Sequence, residues 1–208
     1  MRTFNRVIEW STLLPAFGFA ASFLYVAMAS MPFPYMLEWM EGQSIDVVQR
    51  ILDGKPLYTQ PTLDYVPLIY PPYYYYVTAF VSLMTGEGFF PARLVSTLAT
   101  LGTCVVIYHW LRREHAGWRI ALTGAFLFLA TYRLSGRWFD MSRVDSLFLF
   151  LSFAGLYLAV YYRGMVNALL AALILTAAFF TKQSALVVVL PALAALAFTD
   201  WRHALTII

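Results

Sequence analysis

Long uncharged stretches alternate with short charged ones along most of the chain, and this pattern predicts helices that cross a membrane. The first stretch covers residues 10–30, enough for a hydrocarbon core of about 30 Å. Further apolar stretches lie at residues 94–111, 120–132, 146–162, 164–181 and 183–199. They are continuous rather than alternating, which favours helices over a β-barrel. The sequence therefore predicts an all-α, polytopic bundle of about six spans.

The longest polar interruption, residues 31–88, is predicted to be an external loop that carries its own helices. Within it, Ile45, Val48 and Leu52 recur at helical spacing, which predicts an amphipathic helix over residues 44–52 along the membrane surface. A second helix is predicted over residues 73–85, after a pair of prolines. It is too short to span comfortably, so we expect it beside the membrane as well.

Composition and charge narrow the class of protein. With 61% hydrophobic and 12% charged residues, the chain does not resemble a soluble domain. Its net charge of +3 is spread over the loops without a basic stripe, which argues against a nucleic-acid partner. We expect a lipid bilayer as its surroundings. An inward N-terminus places more net positive charge inside, and it puts residues 31–88, the turn at 133–145 and Lys182 together on the outer side.

The first external loop gathers the carboxylates that could do chemistry. They are Glu38, Glu41, Asp46, Asp53 and Asp64. Glu41 precedes Gly42, which lets backbone approach a ligand, and apolar surroundings are expected to raise the pKa of its carboxyl towards that of a general base. The alternative is that Glu41 caps a helix beginning near Ser44. Glu38 is its rival as the catalytic carboxylate.

An acid and several cations are predicted at the outer ends of later spans. Asp145 opens a span, where a carboxylate is costly unless it is paired or functional, although it could also cap the helix. Arg133, Arg137, Arg143 and Lys182 suit an anionic phosphate headgroup. The alternatives for these cations are snorkelling to lipid phosphates and pairing with the acids.

Two tyrosines flank the proline pair and are candidates for substrate contacts. Tyr70 precedes it and Tyr73 follows it, at the start of four consecutive tyrosines. Such a run is also typical of an interfacial aromatic belt. Neither His109 nor His115 has a partner at ligand spacing, so the histidines do not indicate a metal site.

Six short motifs, in this order, resemble a known group of membrane enzymes. They are Glu41-Gly42, Arg50-Ile51-Leu52-Asp53-Gly54-Lys55-Pro56-Leu57-Tyr58, Tyr70-Pro71-Pro72-Tyr73, Ala92-Arg93-Leu94, Arg143-Val144-Asp145-Ser146-Leu147 and Phe180-Thr181-Lys182-Gln183. Together they resemble the N-terminal module of the GT-C superfamily of polyprenyl- or dolichyl-phosphate-sugar-dependent glycosyltransferases. This superfamily includes protein O-mannosyltransferases and the lipid A aminoarabinose transferase.

The resemblance implies an inverting transfer of a hexosyl or pentosyl group from a polyprenyl-phosphate donor to a glycan, lipid or protein acceptor. It places the reaction on the outward face of a membrane, which we expect to be the bacterial inner (plasma) membrane. It implies that Glu41 is the first-loop catalytic carboxylate, Asp145 the second-loop acid and Lys182 a contact to the donor phosphate. Relatives often have an aspartate or an Asp-Glu pair at the first position, whereas Met40 precedes Glu41 here.

A divalent metal, magnesium or manganese, is expected as an optional cofactor between Glu41 and Asp145. The apolar end of the chain at Thr206-Ile207-Ile208 is expected to begin another span, so that residues 1–208 form part of a longer protein. The competing, non-enzymatic hypothesis is a polyprenyl-phosphate-binding or lipid-binding subunit, or a transporter module, in which the outer acids only balance the cations.

Overall fold

The computed structural model describes residues 2–201, 204 and 207, and this part of the chain is all-helical, without strands. Its helices are α1 (Arg2–Ser30), α2 (Trp39–Leu52), α3 (Tyr73–Thr85), α4 (Phe89–Arg113), α5 (Trp118–Ala130), α6 (Val144–Tyr161), α7 (Met165–Thr181) and α8 (Ala185–Thr199). The predicted all-α class is confirmed. The prediction for the chain end at Thr206 and Ile208 lies outside the described residues.

Three of the helices are long and apolar enough to cross a membrane, namely those at Arg6–Ser30, Phe89–Arg113 and Val144–Tyr161. The other three predicted spans form shorter apolar helices, Trp118–Ala130, Met165–Thr181 and Ala185–Phe198. At about 1.5 Å per residue, the 13 residues of α5 extend about 20 Å, less than a typical hydrocarbon core. The chain thus combines helices long enough to span a membrane with shorter apolar helices packed beside them.

The two helices predicted within the first loop both form, but the first begins earlier than the sequence pattern indicates. Helix α3 has the predicted bounds, Tyr73–Thr85. Helix α2 begins at Trp39 because Glu38 is extended (φ −148°) and its carboxylate accepts a hydrogen bond from the Met40 N–H at 3.0 Å. Glu38, rather than Ser44, therefore provides the N-cap.

The core is built from pairs of neighbouring helices. Helix α1 packs on α5, α4 packs on both α5 and α6, and α6 packs on α7. Helices α2 and α3 pack against α4, with Val48, Tyr74 and Leu147 in a shared apolar cluster. Gly155 allows α6 and α7 to approach closely, since a Cβ at this position would lie 2.6 Å from a methyl carbon of Leu175.

The polar connections meet at one end of this bundle, which we call the loop end. Ser30, the last residue of α1, donates a hydrogen bond to Asp140 in the turn between α5 and α6 at 2.8 Å. Gln183, after α7, donates to the Ile69 carbonyl in the first loop at 2.9 Å. The three segments predicted to share one face of the membrane therefore contact one another.

Candidate active site

Glu41 is completely buried and forms a bidentate ion pair with Arg93 of α4. Arg93 Nε lies 3.0 Å from Glu41 Oε1 and Nη2 lies 2.8 Å from Oε2, with the two side chains 1% and 0% exposed. Paired, parallel N–H···O bonds of this kind are among the strongest that side chains make. The pair holds α2 against α4.

Arg93 also secures the start of the first loop. Its Nη1 donates to the carbonyls of Ser30 (2.8 Å) and Phe33 (2.6 Å), and its Nη2 donates to that of Tyr35 (2.7 Å). All five guanidinium N–H donors are therefore used. We call Arg93, Glu41 and these three carbonyls the arginine clamp.

The remaining bonds of Glu41 reach the segments that carry other charged residues. Its Oε2 accepts from Leu37 N at 2.7 Å and its Oε1 accepts from Ser142 N at 2.9 Å. Burial raises the pKa of Glu41, but the bonds from Arg93, Ser142 and Leu37 more than offset this effect and leave the pKa below its ordinary value. The sequence-based expectation of a raised pKa was therefore wrong. The alternative, that Glu41 caps a helix beginning near Ser44, is also wrong, because Glu41 lies in the first turn of α2.

Glu38 differs from Glu41 because it borders a cavity. The cavity has a volume of about 440 Å³, and Tyr70, Trp138 and Arg143 line it together with Glu38. Glu38 Oε1 lies 3.2 Å from Arg143 Nη1, and its side chain is 15% exposed. A volume of this size falls within the range of small-molecule sites.

Arg143 connects Glu38 to a second acid and a second cation. Arg143 Nε lies 3.0 Å from Asp145 Oδ2, and Lys182 Nζ lies 2.6 Å from Asp145 Oδ1. Arg143 is the N-cap residue of α6 and Asp145 lies in the first turn, so the carboxylate binds the two cations rather than capping the helix. Glu38, Arg143, Asp145 and Lys182 thus form a row of alternating charge, which we call the charge row.

Aromatic rings support the two cations of the charge row. The guanidinium carbon of Arg143 lies 4.0 Å from the centroid of the Trp138 ring. Lys182 Nζ lies 5.6 Å from the Tyr70 ring and 5.5 Å from the Phe148 ring. Burial opposes the charge on Arg143, but Asp145 and Glu38 raise its pKa, so Arg143 stays cationic.

A family model described as dolichyl-phosphate-mannose-protein mannosyltransferase matches residues 70–207, about two thirds of the chain. The chain belongs to this mannosyltransferase family. The predicted resemblance to GT-C enzymes is confirmed, and the chain is an integral membrane glycosyltransferase. No curated protein and no solved structure matches it.

The mannosyltransferase match covers only part of the site. Tyr70, Arg143, Asp145 and Lys182 lie within it, whereas Glu38 and Glu41 precede it. The match therefore does not bear on the roles of the two glutamates.

Two predicted substrate-binding arginines of this glycosyltransferase lie apart from the charge row. Arg133 and Arg137 line a different cavity, between α1 and α5. Tyr73, at the start of α3, is 38% exposed and does not line the cavity beside Glu38. Of the predicted residues, the structure thus brings together Glu38, Tyr70, Arg143, Asp145 and Lys182.

The donor atoms of Glu41 and Asp145 do not form a metal site in this arrangement. Both oxygens of Glu41 bind Arg93 and backbone N–H groups, and both oxygens of Asp145 bind cations. Nowhere in residues 2–201 do three or more His, Cys, Asp or Glu residues cluster as ligands. A divalent metal at Glu41 and Asp145 would have to displace Arg93, Arg143 or Lys182. The two carboxylates, in the positions they occupy, therefore do not fit a metal ion.

Sequence reasoning assigned no role to Arg93 or Trp138, although both shape the site. Arg93 was visible only as part of a motif, at the start of an apolar stretch. A cation there is expensive unless it is paired, which is the signal that could have identified it. No comparable signal marks Trp138, because its contact with Arg143 depends on how the turn between α5 and α6 folds back.

Proposed function

We propose that this glycosyltransferase moves a sugar from a polyprenyl-phosphate-linked donor to an acceptor hydroxyl at the loop end of the bundle. The observation that carries the proposal is the charge row, in which Glu38 and Arg143 line the cavity and Asp145 joins Arg143 to Lys182. It combines a carboxylate able to accept a proton with two cations able to hold a phosphate, and both are needed for this transfer.

Glu38 acts as the general base in this proposal. Its carboxylate borders the cavity and has one ion-pair partner, so an acceptor hydroxyl can reach it. Glu41 is less suited, because both its oxygens are buried and already hydrogen-bonded, and its lowered pKa makes it a weaker base. The first-loop carboxylate favoured here is thus the earlier of the two glutamates.

Arg143 and Lys182 hold the phosphate of the donor. Lys182 has three N–H donors and gives one of them to Asp145, so the ammonium can also bind a phosphate oxygen. As the acceptor oxygen attacks the anomeric carbon, its proton moves to Glu38. The bond between that carbon and the phosphate oxygen breaks, and the electron pair leaves with the lipid phosphate. A single displacement of this kind inverts the anomeric centre.

Glu41 positions the groups that react. Its carboxylate accepts hydrogen bonds from the N–H groups of Leu37 and Ser142, the residues directly before Glu38 and Arg143. Its carboxylate therefore holds the two segments that form the Glu38–Arg143 pair. No step in this mechanism passes through a metal ion, although the divalent cofactor remains a prediction from the sequence.

The family description supports a dolichyl- or polyprenyl-phosphate hexose, mannose in the first instance, as the donor. We place the loop end on the non-cytoplasmic face of a bacterial inner membrane, because that orientation leaves the more positive loops inside. A glycan, a lipid or a protein hydroxyl fits the proposed chemistry as acceptor.

Replacing Glu38 tests the proposal. In membranes containing the full-length protein, Glu38→Gln should lower the rate of mannose transfer from polyprenyl-phosphate mannose at least about 100-fold, since general-base catalysis contributes roughly that much. Donor binding should persist. Asp64→Asn is the matched control, because Asp64 is an exposed acid in the same loop that does not line the cavity. Transfer by Glu38→Gln at the parent rate would overturn the assignment.

The non-catalytic hypothesis makes a different prediction in the same assay. Two acids and two cations balance in the charge row, as they would in a subunit that only binds lipid phosphate. Such a subunit would bind polyprenyl-phosphate mannose, and the parent protein would release no polyprenyl phosphate in the presence of any acceptor.

A further inference from the structure

A second cavity opens between α1 and α5 at the loop end, separate from the charge row. Its volume is about 330 Å³, and its walls are largely apolar, formed by Phe19, Phe23, Val26 and Leu129 together with the hydroxyl-bearing Ser22 and Tyr132. Two arginines, Arg133 and Arg137, also line it. None of its lining residues is shared with the cavity beside Glu38.

The apolar and cationic groups of this cavity lie at different depths. Phe19 and Val26 are seven residues apart on α1, which at 1.5 Å per residue is about 10 Å along the helix. Arg133 and Arg137 follow α5, whose C-cap is Thr131. The cavity therefore runs along the C-terminal half of α1 and ends at the two cations.

The two cations are free to bind an external anion. In the described part of the chain neither Arg133 nor Arg137 forms an ion pair with an acid, and both are exposed. Arg137 Nε has only a long hydrogen bond, 3.4 Å, to the Tyr132 hydroxyl. The nearby acid Asp140 is buried and accepts bonds from Ser30 and Tyr132. The mouth of the cavity thus carries net positive charge.

The backbone at Arg137 supports a role for its side chain. Arg137 has φ +66°, in the left-handed region that glycine adopts without strain. The preceding residue also has a left-handed backbone (φ +72°), but it is a glycine, Gly136. An arginine at the second left-handed position is costly to the fold, which is expected where its charge is used.

We propose that the cavity between α1 and α5 binds an anionic phospholipid, with its phosphate on Arg133 and Arg137 and one acyl chain along Phe19, Phe23 and Val26. The charge and the apolar walls match the two parts of such a lipid. The cavity has no carboxylate in its lining, so it lacks a base for sugar transfer, which favours a structural lipid over the sugar donor. The proposal does not depend on the assignment of Glu38.

The test is thermal stabilisation of the purified full-length protein in detergent by added lipid, because a ligand of the native state raises Tm. Dioleoylphosphatidylglycerol should raise Tm at lower concentration than dioleoylphosphatidylcholine. Glycerol phosphate, which has the phosphate but no acyl chains, should not raise it at matched concentration. Equal effects of the two phospholipids would overturn the proposal, as would stabilisation by polyprenyl phosphate but not by phosphatidylglycerol.

Charge variants locate the phosphate. Arg133→Gln with Arg137→Gln should weaken the response to phosphatidylglycerol by roughly five-fold for each arginine removed. The matched control is Arg112→Gln with Arg113→Gln, an exposed pair at the end of α4, which should respond like the parent. Arg137→Gly should lose lipid selectivity without a loss of lipid-free Tm, since glycine relieves the left-handed φ. An unchanged phosphatidylglycerol response in the double variant would contradict the site.

A cavity-filling variant locates the acyl chain. Ser22 lies in the cavity lining on α1 and donates a hydrogen bond only within its own helix, to the Gly18 carbonyl. Ser22→Phe should abolish the phosphatidylglycerol response. Ser11→Phe is the control, because Ser11 makes an equivalent bond within α1, to Ile8, but lies outside the cavity. Equal responses in the two variants would overturn the acyl-chain placement.

Discussion

Two glutamates three residues apart, Glu41 and Glu38, lie in contrasting surroundings. Glu41 is sealed, with its charge neutralised by Arg93 and its oxygens fully hydrogen-bonded. Glu38 borders a cavity and has a partner, Arg143, that is itself shared with Asp145. The difference is that the arginine clamp is closed off and ties the first loop to α4, whereas Glu38 and Arg143 of the charge row line a cavity.

Mutation of the arginine clamp should lower the stability of the folded protein more than mutation of the charge row does. Arg93→Met leaves Glu41 as an unpaired buried charge, and breaking a buried pair typically costs about 3–5 kcal/mol. We expect Arg93→Met to lower the yield of folded protein and its Tm in detergent more than any single change in the charge row. Lys55→Met, at the exposed Lys55–Asp53 pair, is the control and should leave Tm unchanged. A parent-like Tm for Arg93→Met would contradict the structural role of the arginine clamp.

Mutation of the charge row should instead act mainly on the transfer reaction. Lys182→Met removes a charged hydrogen-bond donor, whose contribution is typically about 1.5–3 kcal/mol. It should raise KM for polyprenyl-phosphate mannose roughly 10- to 100-fold, with a smaller change in kcat and little change in Tm. Kinetics on the same Lys55→Met control should match the parent. An unchanged KM in Lys182→Met would contradict the phosphate contact.

The lowered pKa of Glu41 predicts an acid-sensitive clamp. Above the ordinary glutamate value of 4.5, the carboxylate is ionised in both folded and unfolded chains and its stabilisation is complete. As pH falls below that value, the unfolded chain takes up the proton first, so stability is lost until the folded carboxyl is also protonated. Unfolding measured between pH 6 and pH 3 should show this loss, and Glu41→Gln should show a shallower dependence. If the stability of Glu41→Gln depended on pH in the same way as that of the parent, Glu41 would not be the source of the loss of stability in acid.

The smallest expected effect separates two tyrosines that the sequence treats alike. Tyr70 lines the cavity and its ring lies 5.6 Å from Lys182 Nζ, whereas Tyr73 makes neither contact. A cation–π contact is typically about 0.5–2 kcal/mol. Tyr70→Leu should therefore raise KM for the donor by a few-fold, and Tyr73→Leu should leave it unchanged. Equal effects of the two changes would favour a general aromatic belt over a specific contact.

The sequence predicted most of the helices well because their uncharged apolar stretches are long and continuous. It predicted α3 at its observed bounds and identified the residues of the charge row, since charges at the ends of spans stand out. It did not predict which glutamate faces the cavity. That choice depends on Arg93, 52 residues after Glu41, and on the turn that brings Ser142 N to the same carboxylate. Neither contact leaves a local pattern in the chain.

Chemical rescue at Glu38 tests the central claim most directly. In Glu38→Ala, the cavity beside the lost carboxylate can admit a small carboxylic acid anion. We predict that the single-turnover rate of mannose transfer falls at least about 100-fold in this variant and that added formate restores part of the rate. The control Asp64→Ala should transfer mannose at the parent rate, with or without formate. A parent-like rate for Glu38→Ala without formate would contradict the account, because the base would then lie elsewhere.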